Sequence, residues 1–305
     1  MVVTHPITRS LVQRREHVIA ILGCGKLGTA ILRGLLDAEQ NISVGDHRKL
    51  KIIACVRRAE SATKLQSTLA SYKDSVVVLT NDNMTAASQA DVIVLGCKSG
   101  VLHEVLGEAG MRESLSGKLV ISILAGATEG QIRMALSNGQ SASSVNKEIE
   151  PQIICAIPNV ASAVRQSMTV VSKVDRASLT PENFALASDI LARLGWVVEL
   201  DENHLNMGFI LSAAGPAYIA VMLEALASAA VSSGVPREYA LQMAARTMQG
   251  TAELILGGDS PAKVTENVCT PLGCSEKGLK VIQQGNLSGI LVNALQEAER
   301  AIVKR

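Results

Sequence analysis

Residues 21–36 read ILGCGKLGTAILRGLL, and three of the glycines in that stretch, Gly23, Gly25 and Gly28, decide how the rest of the chain is read. Their spacing is G-x-G-x-x-G. The apolar run VIAIL (18–22) leads in, and KLGTAILRGLLDA, with apolar residues at helical spacing, leads out. A strand, a tight glycine turn and a helix in that order bring the free N–H groups of the helix N-terminus up to a pyrophosphate. Gly23, Cys24, Gly25, Lys26, Leu27 and Gly28 are therefore the expected dinucleotide loop. The spacing alone is a weak signal. Here the strand, the helix and a further strand stand where the fingerprint requires them. The alternative is a glycine turn in the same fold that holds nothing.

The end of the second strand distinguishes the two nicotinamide dinucleotides. Asp46 lies at a distance that would suit a ribose hydroxyl, but HRKL and another apolar run follow it. The segment followed by a helix is IIACVRRAES, so KIIACV (51–56) is the better second strand. Its end carries Arg57 and Arg58, with Ser61 at the next helix start. Two guanidinium groups match a 2′-phosphate, which favours NADPH over a weaker NADH; two solvated arginines are the alternative. The fourth strand ends in LGCKSG, so Cys97 and Lys98 emerge at a strand's carboxyl end, where open α/β sheets bind ligands.

Working outward, SVVVL (75–79), DVIVLGC (91–97), KLVISIL (118–124), QIICAI (152–157), SMTVVS (167–172) and WVVEL (196–200) read as further strands with helical segments between them. The alternation predicts a Rossmann-like, doubly wound parallel sheet over residues 1–200, with 137–151 as a polar surface loop. After Leu200 no strand is evident. HLNMGFILSAAGPAYIAVMLEALASAAVSSG (204–234) is helical and apolar around much of its circumference. Residues 201–305 read as an all-helical domain, and a helix so apolar in so small a domain needs cover from a partner subunit.

Composition narrows the class. The 305 residues carry 29 basic and 28 acidic side chains, a net charge of +1, which points to neither nucleic acid nor an anionic membrane. No uninterrupted apolar run looks long enough to span a bilayer. The first residues, MVVTHPITRSLVQRREH, lack the apolar middle of a secretory signal and read as a disordered lead-in, although Arg9, Arg14 and Arg15 leave a weak organelle signal open. Six cysteines without a C-x-x-C pair read as reduced thiols, and the expected location is cytoplasmic. No metal site is expected.

Taken together and in order, GCGKLGTAIL, IIACVRRAESATKL, VIVLGCK, LVISILAG, AIPNVASAVRQSMTV, AAGPAYIAVMLEALASAAVSSGVPRE and NVCTPLGCSEKGL resemble the pyrroline-5-carboxylate reductase family, particularly its fungal members. The resemblance implies a Rossmann domain, a helical dimerisation domain, NADPH, and reduction of a cyclic imine to proline. It implies a homodimer through the C-terminal helices, or a higher homo-oligomer. By position it places Ala125 and Gly126 beside the nicotinamide and counts Asn159, in the segment after the sixth strand, among the cofactor-binding residues; it makes Glu224 on the long helix, Thr270 and Ser275 the catalytic residues at the substrate. The chain departs from the family at Ala213 and Ala214, where Gly and Ser are usual. It departs also at Ser99 for a proline, Leu272 for a glycine and Ser275 for a threonine. A branched side chain at Leu272 stands where backbone must approach a carboxylate. Either the loop tolerates it, or the pocket serves a related imine such as an alkylated pyrroline carboxylate.

Residues 204–234 contain neither lysine nor arginine; their ionisable groups are His204, Tyr218 and Glu224. A hydroxyacid dehydrogenase of this build needs a general base near the hydride site, and in that superfamily a lysine on the interdomain helix serves. A cyclic imine can be protonated before it binds, and then needs positioning rather than a strong base. The missing lysine fits imine reduction better than alcohol oxidation. A cofactor-binding paralogue without catalysis stands as the alternative of a different class.

Overall fold

The computed structural model describes residues 3–4, 17–40, 50–137 and 150–303. Asp46, the N-terminal arginines and most of the expected loop 137–151 lie outside the described residues. The strands are β1 (Val3–Thr4), β2 (Val18–Leu22), β3 (Lys51–Val56), β4 (Val76–Thr80), β5 (Val92–Leu95), β6 (Leu119–Ser122), β7 (Gln152–Ile157), β8 (Ser167–Ser172) and β9 (Gly195–Leu200). Helices α1 (Lys26–Gln40), α2 (Ala59–Thr68), α3 (Asn83–Gln89), α4 (Leu102–Leu106), α5 (Met111–Leu115), α6 (Glu129–Leu136), α7 (Lys173–Ala177) and α8 (Pro181–Ala192) connect them. The sheet order is β1-β9-β8-β7-β6-β5-β2-β3-β4.

The six strands from β4 to β7 are mutually parallel, as the alternation predicts. The expectation of a parallel sheet throughout does not hold beyond them. β7 and β8 pair antiparallel, β8 and β9 parallel, and β1 runs antiparallel along β9. The cause is connection length: a parallel crossover needs about a dozen residues or more, and only 158–166 separate β7 from β8. β1 itself, inside the segment read as a lead-in, is a strand that the sequence reading missed.

Alternate residues of β2 feed the two faces of the sheet. Ile19 and Ile21 pack with Ile31, Leu35, Ile52 and Leu191 on one side, and Ala20 and Leu22 with Ile93, Met111 and Ile132 on the other. Burial of both faces is what turns these strands into continuous apolar runs.

The chain divides into two compact units, 1–213 with 302–305, and 214–301. The last strand ends at Leu200, where the sequence places its boundary, yet the start of α9 (Glu202–Ser232) belongs to the first unit. Ile210 and Ser212 are buried, and a methyl group at Gly208 would lie 2.3 Å from the Leu200 side chain. The second unit holds the rest of α9, α10 (Arg237–Leu256), α11 (Pro261–Val268), α12 (Cys274–Gln284) and most of α13 (Leu287–Val303). Among its described residues only Ala227 and Ala240 are buried. By length and composition α9 is long and apolar enough to cross a membrane. That corrects the reading that no run qualifies: small Ala, Gly and Ser residues interrupt the strictly apolar runs without making the helix polar.

Candidate active site

The strand order reverses between β2 and β5, and the loops that leave these two strands touch. Gly23 has φ +86°, and a methyl group there would lie 2.6 Å from Cα and N of Cys97. Only glycine meets both demands. The N–H groups of Gly23 and Cys24 donate to the Cys55 carbonyl at 3.1 and 2.8 Å, tying the loop to β3. Gly28 fits α1 against β2, since a methyl group would sit 3.3 Å from Ile21 Cγ2 and Cys24 Sγ. Gly25 has no protein atom within 4 Å of that position. The loop is thus packed on its inner side and open at Gly25, beside the N-terminus of α1, which begins at Lys26. A helix N-terminus with an open glycine next to it suits a pyrophosphate.

Arg57 and Arg58 follow β3 and are exposed, and neither side chain has an ion pair among the described residues. Arg58 is the residue preceding α2, and the Ser61 N–H donates to its carbonyl at 3.0 Å. Lys98 is exposed at the end of β5. Ser99, which replaces a usual proline, donates through Oγ to the Ala125 carbonyl at 3.3 Å and so joins the loops after β5 and β6. Ala125 and Gly126 are exposed in a turn closed by Ala127 N–H to Leu124 O, with Gly126 at φ +80°. A reciprocal cap between Thr128 and Gln131 starts α6 directly after that turn.

Three thiols line this end of the sheet. Burial pushes Cys24 up to about 11, with the Thr29 side chain acting the other way, and burial also raises Cys55 and Cys97. They remain neutral at pH 7, so no thiolate faces an incoming phosphate. All six cysteines are free, and Cys274 is exposed.

Asn159 is buried, two residues beyond β7. Its Oδ1 accepts from Ala161 N–H at 2.9 Å, and its Nδ2 donates to the Ser212 carbonyl at 3.1 Å.

The remaining expected residues lie in the second unit. Thr270 is exposed and Ser275 half-buried, at the two ends of a turn that delivers the chain into α12. Pro271 precedes Leu272 at φ +62°, and Gly273 N–H donates to Thr270 O at 3.0 Å, the pattern of a type II turn. Leu272 occupies the position that favours glycine and is 83% exposed. Its N–H donates to Glu276 Oε2 at 2.6 Å. The Lys280 ammonium first, and this N–H second, hold the Glu276 carboxyl below its usual range. Pro271 has no N–H, and the first N–H groups of α12, on Cys274 and Ser275, have no acceptor within the helix.

Glu224 is exposed and forms a two-pronged ion pair with Arg237 at 3.0 and 2.9 Å, joined by Ser228 Oγ at 3.1 Å. Arg237 is first among the causes that hold its carboxyl below the ordinary range. The sequence offered no sign of this partner, which lies 13 residues away on α10.

Residues 202–304 match the family model described as pyrroline-5-carboxylate reductase dimerisation. Residues 18–126 match the one described as NADP oxidoreductase, coenzyme F420-dependent. The chain is 38% identical over 294 residues to a pyrroline-5-carboxylate reductase of Lophium arboricola, covering 93% of this chain and 91% of the relative. It is 36% identical to one of Neurospora crassa, with the same coverages. A solved pyrroline carboxylate reductase of Plasmodium falciparum, with NADP bound, superposes at TM-score 0.73 and 21% identity over 94% of this chain and 97% of that one. This last likeness concerns the fold.

Proposed function

The chain belongs to the pyrroline-5-carboxylate reductase family, and we propose that it reduces the cyclic imine 1-pyrroline-5-carboxylate to L-proline with NADPH. The carrying observation is a pairing: an NADP-type dinucleotide end joined to a long helix with neither Lys nor Arg between residues 204 and 234.

The residues present fit the cofactor. The loop is open at Gly25, and the arginine pair after β3 has no ion pair among the described residues. Gly23, Cys24 and Gly25 and the N-terminus of α1, which begins with Lys26, Leu27 and Gly28, take the pyrophosphate. Arg57, Arg58 and Ser61 take the 2′-phosphate. Cys97, Lys98, Ala125 and Gly126 border the nicotinamide. When bound, this group supplies the hydride. The chain's own residues hold the other reactant. Thr270 Oγ1 and the N–H groups of Cys274 and Ser275 hold the carboxylate, and Ser275 Oγ accepts from the protonated ring nitrogen. The task is orientation and charge complementarity, so the absence of a strong base is no obstacle.

Leu272 keeps the positive φ that glycine would supply, and its side chain is exposed. The turn therefore retains its backbone shape at a local cost of about 1–2 kcal/mol. This favours the unsubstituted imine. An alkylated pyrroline carboxylate is the second reading, on the ground that a branched side chain stands at the rim of the turn.

Homodimerisation through the helices after residue 200 belongs to the same proposal. Val221, Leu256 and Val281 are each at least two-thirds exposed in the single chain, and a second copy is the cover proposed for them. A cytoplasmic location accords with six unpaired cysteines. The test is NADPH oxidation with chemically prepared pyrroline-5-carboxylate. Turnover with formation of proline is expected. A protein that binds NADPH but leaves this imine and its alkylated analogues untouched would overturn the reading in favour of a non-catalytic paralogue.

A further inference from the structure

Pro216 lies inside α9, a helix that runs unbroken from Glu202 to Ser232. A proline in a helix has no N–H for the carbonyl four residues earlier, and its ring presses on that carbonyl. Four residues before Pro216 is Ser212, which is buried. An open carbonyl in such a place is costly unless another donor reaches it. The donor is Asn159 Nδ2, at 3.1 Å.

Asn159 is itself held on every side. Its N–H donates to Ser167 Oγ at 2.9 Å, its Oδ1 accepts from Ala161 N–H at 2.9 Å, and its carbonyl accepts from Ser162 Oγ at 2.7 Å. Ser212 is fixed a second time, since its hydroxyl donates to the Met168 carbonyl of β8. The amide thus joins the turn after β7, at the ligand end of the sheet, to the turn of α9 that Pro216 opens.

We propose that Asn159 is a positioning residue for the reduction: it replaces the hydrogen bond that Pro216 removes from α9, and so fixes that turn of the helix for catalysis rather than contacting the cofactor. The proposal rests on the imine-reductase reading for its kinetic part only.

The experiment is a double-variant cycle in the full-length protein. Asn159→Ser keeps a short side-chain acceptor for Ala161 N–H but is too short to reach Ser212. Pro216→Ala restores an N–H at position 216 that meets the Ser212 carbonyl from within the helix. Thermal unfolding, NADPH affinity by fluorescence titration, and kcat and KM for pyrroline-5-carboxylate are measured for the parent, both single variants and the double variant. Asn159→Ser alone should lower the unfolding midpoint by roughly 3–8 °C. In the Pro216→Ala background the same change should lower it by less than half as much. NADPH affinity should change by less than about twofold. The imine kcat/KM should fall about tenfold or more in Asn159→Ser and be regained in part in the double variant.

Equal midpoint losses in the two backgrounds would overturn the link between Asn159 and Pro216. A tenfold loss of NADPH affinity that Pro216→Ala does not relieve would make Asn159 a cofactor contact instead. Should Asn159→Ser fail to fold, Asn159→Ala in the Pro216→Ala background carries the same comparison, and its failure to fold as well would count against the link. A parent protein inactive on the imine would strike the functional reading alone, because melting and NADPH titration need no turnover.

Discussion

The loop Gly23–Gly25 and the turn Thr270–Gly273 use one device in two settings. Each is a tight turn with a residue at positive φ, and each hands the chain to a helix N-terminus that can face an anion. In the first unit the residue is Gly23, wedged against the Cys97 backbone above a core that one chain closes by itself. In the second it is Leu272, exposed, in a unit with almost nothing buried. The first turn is held by its surroundings. The second is held by its own hydrogen bonds, from Gly273 to Thr270 and from Leu272 to Glu276. The glycine loop is therefore complete in a single chain, whereas the turn before α12, on the proposed reading the substrate turn, sits in a unit whose apolar residues stand exposed in one chain.

The largest effect should come from separating the units. A chain ending at Ala213 is expected to be a monomer that binds NADPH and reduces no imine. A chain ending at Leu200 should be markedly less stable, because it loses Ile210 and Ser212. Sedimentation, NADPH titration and thermal unfolding of the two truncations check this. A full-length chain that sediments as a stable monomer without detergent would break the comparison.

Next in size is the contrast within the first loop. Gly23→Ala drives a methyl group into the Cys97 backbone and should cost several kcal/mol of stability together with NADPH binding. Gly25→Ala meets no protein atom, so its melting point should match the parent's while NADPH affinity falls roughly tenfold or more. Thermal melts beside NADPH titrations separate the two, and a destabilised Gly25→Ala would refute the assignment of its open side to the ligand.

Smaller again is cofactor choice. Changing Arg57 and Arg58 together to Ala should weaken NADPH by about tenfold to a hundredfold and leave NADH nearly unchanged. Equal losses for both cofactors would remove these arginines from the 2′-phosphate.

The smallest effects belong to the substrate turn. Leu272→Gly relieves strain but loosens the unfolded chain, so stability should shift by less than about 1 kcal/mol. Its influence shows in the ratio of activities on unsubstituted and alkylated imines, at most roughly tenfold to two-hundredfold. If Leu272 shapes the pocket, the glycine variant gains on the unsubstituted imine and loses on the bulkier one; an unchanged ratio rules that role out. Glu276 adds a pH dependence. Its carboxyl is held below the ordinary 4.5, so what it contributes to the turn is present above that value and is lost as pH falls through its lowered folded one. Glu276→Gln should flatten the melting profile below about pH 4.5, measured against the parent.

Much of the first unit was legible because its signals are local. Eight apolar runs became the eight strands β2–β9, and three glycines at fixed spacing became a tight turn and the first turn of α1. The reversal of β8 was not read, although the nine residues between β7 and β8 are too few for a crossover helix. Strand β1 was not legible, because two residues carry no period. Nor was the Glu224–Arg237 pair, since its partners sit on different helices.

By itself the sequence determined the strand–turn–helix order, the glycine loop, the arginine pair, and a long apolar helix with neither lysine nor arginine. These depend on residue type and on spacings within a few turns of chain. Tertiary structure alone decided that Gly23 must meet Cys97, that Asn159 closes the carbonyl Pro216 leaves open, and that Leu272 holds a glycine's backbone angle while exposing its side chain. Those facts depend on which groups are buried together and which donor reaches an acceptor from far along the chain, and neither is written in any local pattern of residues.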